Sequence, residues 1–577
     1  MSSGTLARRP AVLLALGLCA FGAVVTLLGR LASGPLVEQK RVPLTTEAGA
    51  QAYPSFSPDG RQVAYSAQAR SKDEEGFHIL VRPVPAGSPR QLTRGSANDV
   101  GPVWSPDGST LAFLRVDEGR ARAILIPAAG GPERKLAEFD AAGEDAVPAP
   151  SMDWTRDGQS LAVVAGREKQ IPAISLLSVQ SGALRRLTNP PEGSLGDASP
   201  AVSPDGKALA FVRSLDEDRA DIYLCDLNGG SVRQLTFDNH SIRGVAWSAG
   251  GTDLIYSSDR GSGWRLWRLP AYGGSPRDLL VAGNRTSYPA VSATAHLLAF
   301  TDSPSVSAIW RAQLGSPDAP ADERQVIRSA SRETGAAWSP DGTKIANISE
   351  RSGAPEIWVG DANGANRVQI TRLDGPRLRN PRWSPDGGTI LFEARGQRGV
   401  EIYTVPAAGG KVTRVLSDAG EASWARDGKS IYYSANAQIW HAAADGSNPR
   451  QLTHRFGSGA PEQSVDGKWI YYRSRRTIWR VPTEGGKEEE IVLPEHDLMW
   501  APMHAVKNGI YYNEFDRGQR AITVCFYDFA AGKSRPVLRV KNGDFNEGFS
   551  VSPDGKSVLY PKTDRSQTNL VLVENFR

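Results

Sequence analysis

Residues that could act in catalysis are few in this 577-residue sequence, and their spacing does not favour an active site. An α/β-hydrolase needs Gly-x-Ser-x-Gly at a strand-to-helix turn, because that sharp turn exposes the serine nucleophile. The sequence contains only Gly261-Ser262-Gly263 and Gly457-Ser458-Gly459, whose spacing is wrong. We therefore predict no catalytic residue, and an enzyme is the least favoured class.

The sequence also lacks the motifs that bind metals or cofactors. The seven histidines are scattered, without the His-x-x-x-His or Cys-x-x-Cys spacing that holds zinc. Calcium loops of the form Asp-x-Asp-x-Asp-Gly and Gly-rich phosphate loops are also absent from the sequence. The sequence thus predicts no metal and no cofactor.

Charged and polar side chains recur in the loops that enter the first strand of each unit of a sequence repeat. If these positions lie at the mouth of a channel, they could grip an extended peptide or a small polar ligand. A solvated loop charge is the alternative for each of them. The candidate binding residues are Asp99, Asp145, Asp197, Arg243, Arg285, Glu333, Arg379, Asn380, Glu421 and Glu547.

The repeat that carries them consists of a strand often ending in Trp, the turn Ser-Pro-Asp-Gly, a β-rich run and a closing Leu-Thr. Twelve copies follow one another at spacings of 39 to 50 residues, a period typical of solenoids, propellers and arrays. Two altered copies are Trp154-Thr155-Arg156-Asp157-Gly158 and Trp424-Ala425-Arg426-Asp427-Gly428. The complete turns begin at Ser57, Ser105, Ser203, Ser339, Ser384 and Ser552.

The content of one period predicts a propeller blade. Asp-Gly and Asn-Gly pairs favour two-residue hairpins, because a type I′ turn needs the positive φ that these residues tolerate. The flanking runs, such as 209–212 and 221–227, are short and rich in β-branched and aromatic residues. Four antiparallel strands per period make one blade, so we predict an all-β chain of about twelve blades.

Twelve blades exceed the usual four to eight of one propeller, which favours two tandem six-bladed rings. The polar, Pro-rich segment 315–328 is the predicted division, giving one propeller over 41–325 and another over 326–577. That segment could instead be a lengthened hairpin in the sixth blade. A seven-plus-five division and a single ring stay open.

The chain ends suggest how a ring closes. The last blade stops after its third strand, while the segment 41–46 resembles the fourth strands of other repeats, such as Arg90-Gln91-Leu92-Thr93. We predict that this N-terminal segment completes a blade and so removes an exposed strand edge.

Residues 11–29 form an uncharged apolar stretch long enough to span a bilayer. Arg8 and Arg9 precede it without any acidic residue, which predicts a cytoplasmic tail (1–10), a transmembrane helix (11–29), a linker (30–40) and extracytoplasmic propellers. A cleaved signal peptide is the alternative. The net charge of +4 gives no electrostatic case for nucleic acid.

The repeated turns and their flanking strands resemble the PD40 variety of WD40-like repeat. Such repeats form the propeller of the TolB family and the propellers of prolyl-oligopeptidase-type enzymes, and the resemblance covers about residues 41–577. It implies a propeller that acts in the periplasm through protein contacts. Unlike TolB, this chain lacks a separate small N-terminal α/β domain and has about twice as many blades.

We therefore expect a non-catalytic scaffold, anchored in the inner membrane, that binds a protein or peptide partner in the cell envelope. The layout also resembles the extracytoplasmic part of one-pass bacterial regulators with PD40 repeats, so a sensory subunit of a transmembrane regulator is the alternative. A propeller-borne hydrolase is third.

Overall fold

The computed structural model contains β-strands as its regular elements throughout the part of the chain that it describes. No helix of that part is long and apolar enough to cross a membrane. The predicted tail and transmembrane helix, within residues 1–38, lie outside it. The structure describes residues 39–576 except 48, 69–75, 118–119, 141–151, 167–169, 217–218, 229, 239, 261–262, 282–284, 304, 316–321, 374–376, 396–398, 456–457, 475–476, 493–496, 499–502, 517–520, 542–547 and 567.

Six antiparallel sheets form the first ring. Five of them take their strands in chain order, and the sixth combines three separate pieces of chain. The strands are, blade by blade, β2–β5 (Gln51–Phe56, Gln62–Gln68, Phe77–Pro83, Arg90–Gln91), β6–β9 (Asn98–Trp104, Thr110–Asp117, Arg120–Pro127, Arg134–Asp140), β10–β13 (Met152–Trp154, Ser160–Ala165, Ala173–Ser178, Leu184–Arg186), β14–β17 (Gly196–Val202, Ala208–Ser214, Ala220–Asp226, Arg233–Gln234), β18–β21 (Ile242–Trp247, Asp253–Ser258, Arg265–Pro270, Arg277–Asp278), and then β22 (Thr286–Val291), β23 (Leu298–Asp302), β49 (Asn569–Glu574) and β1 (Lys40–Pro43).

Six further sheets form the second ring. These sheets are built from the contiguous residues 305–566, and the sixth blade combines the first two strands of that segment with its last two. The strands are β26–β29 (Glu333–Trp338, Lys344–Ser349, Glu356–Asp361, Val368–Gln369), β30–β33 (Leu378–Trp383, Thr389–Arg395, Val400–Pro406, Thr413–Ser417), β34–β37 (Gly420–Trp424, Ser430–Ala435, Gln438–Ala443, Arg450–Gln451), β38–β41 (Ser458–Gln463, Trp469–Ser474, Thr477–Pro482, Glu489–Val492), β42–β46 (Asp497–Leu498, His504–Val506, Gly509–Asp516, Ala521–Asp528, Lys533–Lys541), and then β47 (Ser550–Val551), β48 (Ser557–Ser566), β24 (Ser305–Gln313) and β25 (Arg324–Ile327).

Contacts between innermost strands close each ring. In the first ring they run from β2 through β6, β10, β14, β18 and β22 back to β2. In the second they run through β26, β30, β34, β38 and β43, and β47 contacts β26. The twelve sheets agree with the predicted number of blades. We call the side on which the chain enters each innermost strand the loop face, and the side of the Ser-Pro-Asp-Gly turns the turn face.

The chain passes between the rings twice, through the sixth blades. Strand β23 ends at Asp302 and β24 begins at Ser305, while β48 ends at Ser566 and β49 begins at Asn569. Both crossovers replace the connection between the second and third strands of a blade. The second ring, residues 305–566, is therefore a contiguous insertion within the sixth blade of the first ring.

This topology corrects the predicted division at 325/326. Strand pairing puts residues 305–327 in the second ring and 569–574 in the first. The segment 315–328 spans the connection between β24 and β25, as the hairpin interpretation allowed, although this hairpin belongs to the second ring. Each crossover has only two residues, too few to leave a compositional signal. The predicted role of the N-terminal strand is confirmed, since β1 pairs with β49 from Lys40↔Glu574 to Pro43↔Val571.

The Ser-Pro-Asp-Gly turn is held by its own side chains. The Ser57 hydroxyl donates to Asp59 Oδ1 at 2.6 Å and accepts the Gln62 N–H at 2.9 Å. The same carboxylate oxygen accepts the Arg61 N–H at 3.0 Å, and Gly60 takes a φ of 70°. The pair of serine bonds recurs at Ser105, Ser203, Ser339, Ser384 and Ser552.

The Trp before the turn joins neighbouring blades. Trp104 Nε1 donates to the Ser55 carbonyl at 3.1 Å, and Trp154 Nε1 donates to the Val103 carbonyl at 3.2 Å. Each acceptor belongs to the innermost strand of the preceding blade, so the indole both fills the wedge between sheets and satisfies a backbone carbonyl. Trp247, Trp383 and Trp424 make the same bond.

The closing Leu-Thr follows the fourth strand, which has only two residues in five of the twelve blades. Thr93 Oγ1 accepts the Ile79 N–H at 2.9 Å, and Thr188 Oγ1 accepts the Ile174 N–H at 2.9 Å. The hydroxyl thus supplies an acceptor where the short strand no longer pairs with the third one.

Deleting residues 568–577 should open the first ring and leave the second folded, because β49 is the third strand of the first ring's sixth blade. We expect calorimetry to lose one unfolding transition. Limited proteolysis with mass spectrometry should then cut within 40–302 and spare 305–566. Removal of Arg577 alone is the control. Loss of both rings, or full protection of both, would contradict this topology.

Candidate functional site

Two of the predicted binding residues lie in buried ion pairs. Asp99 and Asp197 are each 1% exposed. The side chains of Arg115 and Arg213 contact them from the second strand of the same blade, each with Nε 2.7 Å from a carboxylate oxygen. A second bond of 2.9 Å makes each pair bidentate, the stronger geometry. These pairs stabilise the connection between the first two strands.

Glu333 has the same structural role in the second ring and is fully buried. Its carboxylate accepts bonds from Arg351 at 3.0 Å, Arg367 at 3.1 Å and the Ser349 hydroxyl at 3.0 Å. Burial acts to raise the pKa of Glu333, but the hydrogen bonds and charge of Arg367 outweigh it, so the pKa is lowered.

Asn380 and Glu421 connect neighbouring blades of the second ring. The Asn380 amide donates to Glu393 Oε1 at 2.9 Å, and the Glu421 N–H donates to the same oxygen at 2.8 Å. The Glu421 side chain accepts the Ala460 N–H at 2.9 Å and a bond from Arg473 at 3.0 Å. This chain of bonds crosses the second, third and fourth blades at their innermost strands.

The three predicted arginines contact groups near the loop face. Arg379 lies opposite Glu393 in the strand register. The Arg243 guanidinium carbon lies 4.0 Å from the ring centroid of Trp264, a close cation–π contact. Arg285 forms a backbone bridge with that same Trp264, so Arg243 and Arg285 are brought together.

Asp145 and Glu547 lie outside the described residues. The other candidates are distributed over both rings, and the structure does not gather them at one mouth. Their part in ligand binding stays a prediction.

A β-bulge with positive φ occurs four residues before the turn serine or its equivalent. Tyr53, Tyr288, Asn380 and Glu421 take φ values between 49° and 59° there. The strand register shifts at each of these places. Bulges re-aim side chains, and positive φ in a residue other than Gly is costly unless the surroundings impose it. The innermost strands are thus bent at one level of each ring.

The first ring encloses a central channel of about 230 Å³. All six innermost strands line it, and Tyr, Trp and Pro side chains form much of its wall. At the level of the bulges, the rings of Tyr53 and Tyr288 lie 4.5 Å apart at an angle of 49°. The channel is therefore narrow, and its wall combines apolar side chains with polar groups.

Two of those polar groups come from the third blade. Asp153 accepts the Val202 N–H at 2.7 Å and the Trp154 N–H at 2.9 Å. Burial raises the pKa of Asp153 to about 6, while these two bonds and the charge of Arg156 oppose the shift. Arg156 lines the channel from the turn face.

In the second ring, a cavity of about 20 Å³ lies between the first, second, fifth and sixth blades. The Glu462 carboxylate lies 3.9 Å from Arg382 and 3.8 Å from Arg426. His504 Nε2 donates to the Phe549 carbonyl at 2.8 Å, and burial, then the Arg382 charge, lower the pKa of His504 to about 3. In the described residues, no group of three or more His, Cys, Asp or Glu could hold a metal ion.

Sequence reasoning missed the residues that line the first channel. Tyr53 and Tyr288 each precede a proline at the same distance before the turn, a dipeptide signal that marks the bulge. Arg156 stands where the complete turns have proline, and this departure from the repeat was visible in the sequence. Asp153 carried no such signal, because its neighbours in other blades differ.

Comparison with known proteins gives one family and partial relatives. The family model of the PD40 TolB beta propeller domain matches residues 138–320 and 317–475, together more than half of the chain. The uncharacterized peptidase YuxL of Bacillus subtilis is 31% identical over 28% of this chain and 29% of its own length. Uncharacterized protein Atu1656 of Agrobacterium fabrum is 34% identical over 32% of this chain and 57% of its own length.

The matches therefore span less than a third of YuxL and just over half of Atu1656. Among solved structures, a putative TolB from Agrobacterium tumefaciens is 22% identical, with a TM-score of 0.38. The match covers 45% of this chain and 99% of the length of that TolB structure.

Replacing Glu333 by Gln should destabilise the second ring by about 3–5 kcal/mol, since removing one partner leaves buried arginine charge uncompensated. The pKa of Glu333 is lowered in the folded state, so its contribution exists above the ordinary glutamate value and is lost as pH falls. Denaturant unfolding of the variant should therefore depend less on pH across the acid range than that of the native chain.

Glu489→Gln is the matched control, because Glu489 pairs with Arg480 at 2.8 Å while about a third exposed. Its effect should stay within about 1 kcal/mol. Equal effects of the two substitutions would contradict the assignment of Glu333.

Proposed function

This chain belongs to the PD40 TolB β-propeller family, and we propose that it is a non-catalytic protein that binds an extended segment of a protein or peptide partner in the channel of its first ring. The observation that carries the proposal is the channel of about 230 Å³ in the first ring, which all six innermost strands line.

The first channel suits an extended polypeptide. Its wall combines aromatic rings and prolines with backbone and a few side-chain polar groups, the composition of ligand pockets. Aromatic residues are also the common anchors of protein interfaces. The bulges hold Tyr53 and Tyr288 in place before a ligand arrives, which reduces the entropy that binding must overcome.

Binding without catalysis is supported by the side chains around this channel. Among the described residues that line it, none is a histidine. Asp153 is the carboxylate best placed to act as a general base, but its two oxygens each accept a backbone N–H. A base so engaged is poorly placed to take a proton from a nucleophile.

The proposal also covers location. The uncharged stretch 11–29 would anchor the chain in the inner membrane, with the propellers in the periplasm. Strand β1 begins at Lys40, beside Glu574. The nearby Phe576 N–H donates to the carbonyl of His296, which lies on the turn face. The turn face of the first ring would thus face the membrane, and the loop face would be open to a partner.

Site-specific crosslinking tests the binding site. A photoreactive phenylalanine analogue replacing Tyr288, at the channel wall, should crosslink a reproducible protein partner in intact cells. The same analogue replacing Tyr272, which is 84% exposed and outside the channel wall, is the control. Crosslinks of equal yield at both positions, or no crosslinked protein at Tyr288, would contradict the proposal.

A peptidase assay tests the absence of catalysis, as one relative carries a peptidase name. The purified chain should release no p-nitroaniline from a panel of peptide p-nitroanilides. Hydrolysis that Asp153→Asn abolishes, and that Asp427→Asn leaves intact, would show that the first channel is an active site instead.

A further inference from the structure

Arginine replaces the proline of the repeated turn in the third blade of both rings, as Arg156 and Arg426. In complete turns, this proline packs against the turn of the following blade. A Cβ atom added to Gly108 would lie 3.5 Å from Pro58 Cδ. The stem of Arg156 occupies the same place, because a Cβ added to Gly206 would lie 3.1 Å from Arg156 Cβ. The stem thus keeps the packing and adds a guanidinium group at the turn-face end of the channel.

The second ring shows what a guanidinium at this position contacts. Arg426 donates to the backbone carbonyls of Gln463 and Ala505, each at 3.3 Å. It also lies 3.8 Å from the carboxylate of Glu462, which projects from the innermost strand of the fourth blade. One built-in carboxylate and two carbonyls therefore surround this arginine.

The first ring has smaller, uncharged residues at the positions of Glu462 and Arg382. Ala201 stands where Glu462 does, two residues before the turn serine of the fourth blade. Val103 stands where Arg382 does in the second blade. Side chains of this size fill less of the channel, and Ala201 supplies no carboxylate.

Arg156 keeps its charge available to the channel. No side-chain hydrogen bond or ion pair ties Arg156 to another of the described residues, and its side chain is exposed. Asp153, the single carboxylate among the described residues that line the channel, directs its two oxygens to the N–H groups of Trp154 and Val202. A ligand carboxylate would meet a planar donor group suited to it, at the turn-face end of the channel.

We propose that the first channel binds a carboxylate-bearing peptide, whose carboxylate pairs with Arg156 as that of Glu462 pairs with Arg426. This rests on the proposed function and specifies its ligand. The carboxylate comes from the C terminus of the peptide or from an Asp or Glu side chain. Arg156 is a binding residue in this arrangement, and no covalent step is involved.

Equilibrium dialysis of the full chain tests the proposal with defined tetrapeptide pools. One pool has free C termini, a second is amidated, and a third is amidated and lacks Asp and Glu. Mass spectrometry measures the retained fraction. We expect retention at least ten-fold above the third pool in one of the first two, and the pool that succeeds identifies the source of the carboxylate.

Arg156→Pro restores the residue of the complete turns, and it should reduce retention at least ten-fold without unfolding the ring. Ala201→Glu supplies an internal carboxylate where the second ring has Glu462, and it should block the channel to the same extent. Lys207→Gln removes one positive charge from the next turn on the same face, and it should retain peptides as the native chain does. If Arg156→Pro fails to fold, Arg156→Gln replaces it.

Two results overturn the inference alone: retention of the third pool equal to the others, or unchanged retention in both the Arg156 variant and Ala201→Glu. If the native chain retains none of the three pools while the Tyr288 crosslinks identify a protein, the inference is again overturned and the proposed function stands. Absence of both retention and crosslinks overturns the two together.

Discussion

Closure of the two sixth blades is the constraint on which the rest of this structure depends. A propeller blade has exposed strand edges until its ring is complete, and ring closure converts twelve separate sheets into two cooperative units. Here β49 joins β23 to β1 in one ring, while β24 joins β48 to β25 in the other. Each ring is therefore closed by strands distant in sequence. Strand β49 follows the second ring in the chain but closes the first, and β24 follows β23 of the first ring but closes the second.

Within each ring, neighbouring blades are held by a small set of repeated contacts. An indole N–H bonds a carbonyl of the preceding blade, and a proline packs on the following turn. A serine and an aspartate hold the turn itself. Because these contacts occupy the polar groups of the motif, a residue that departs from the motif can offer a further polar group to a ligand, with Arg156 as the example argued above.

The fold was predictable from the sequence because one physical device recurs in every period. The Asp-Gly turns and short β-branched runs indicated four-stranded blades, and the fourth-strand character of 41–46 indicated how a blade is completed. The division between the rings was not predictable, since a crossover of two residues has no composition of its own. Only strand pairing, which joins distant residues from Ser305↔Ser566 to Gln313↔Ser557, reveals it.

The binding site was less accessible to sequence reasoning for a different reason. Loop charges such as Asp99 and Glu333 resemble ligand-binding groups in the sequence, but their partners lie one or two strands away and bury them. Whether a carboxylate meets an arginine of its own blade depends on strand register, which the sequence pattern alone leaves open. Tyr53 and Tyr288 of the channel wall are placed by a backbone bulge, whose sign in the sequence was the proline that follows each of them.

The insertion of one ring into the other also has a consequence for biosynthesis. As the ribosome proceeds, all strands of the second ring, residues 305–566, are available before β49 has been made. Until then the first ring has five blades and an open gap, with β23 and β1 lacking the strand between them. Nascent chains thus expose two unpaired edges for the time needed to translate more than 260 codons, and a chaperone that shields them during that interval would protect the chain from aggregation.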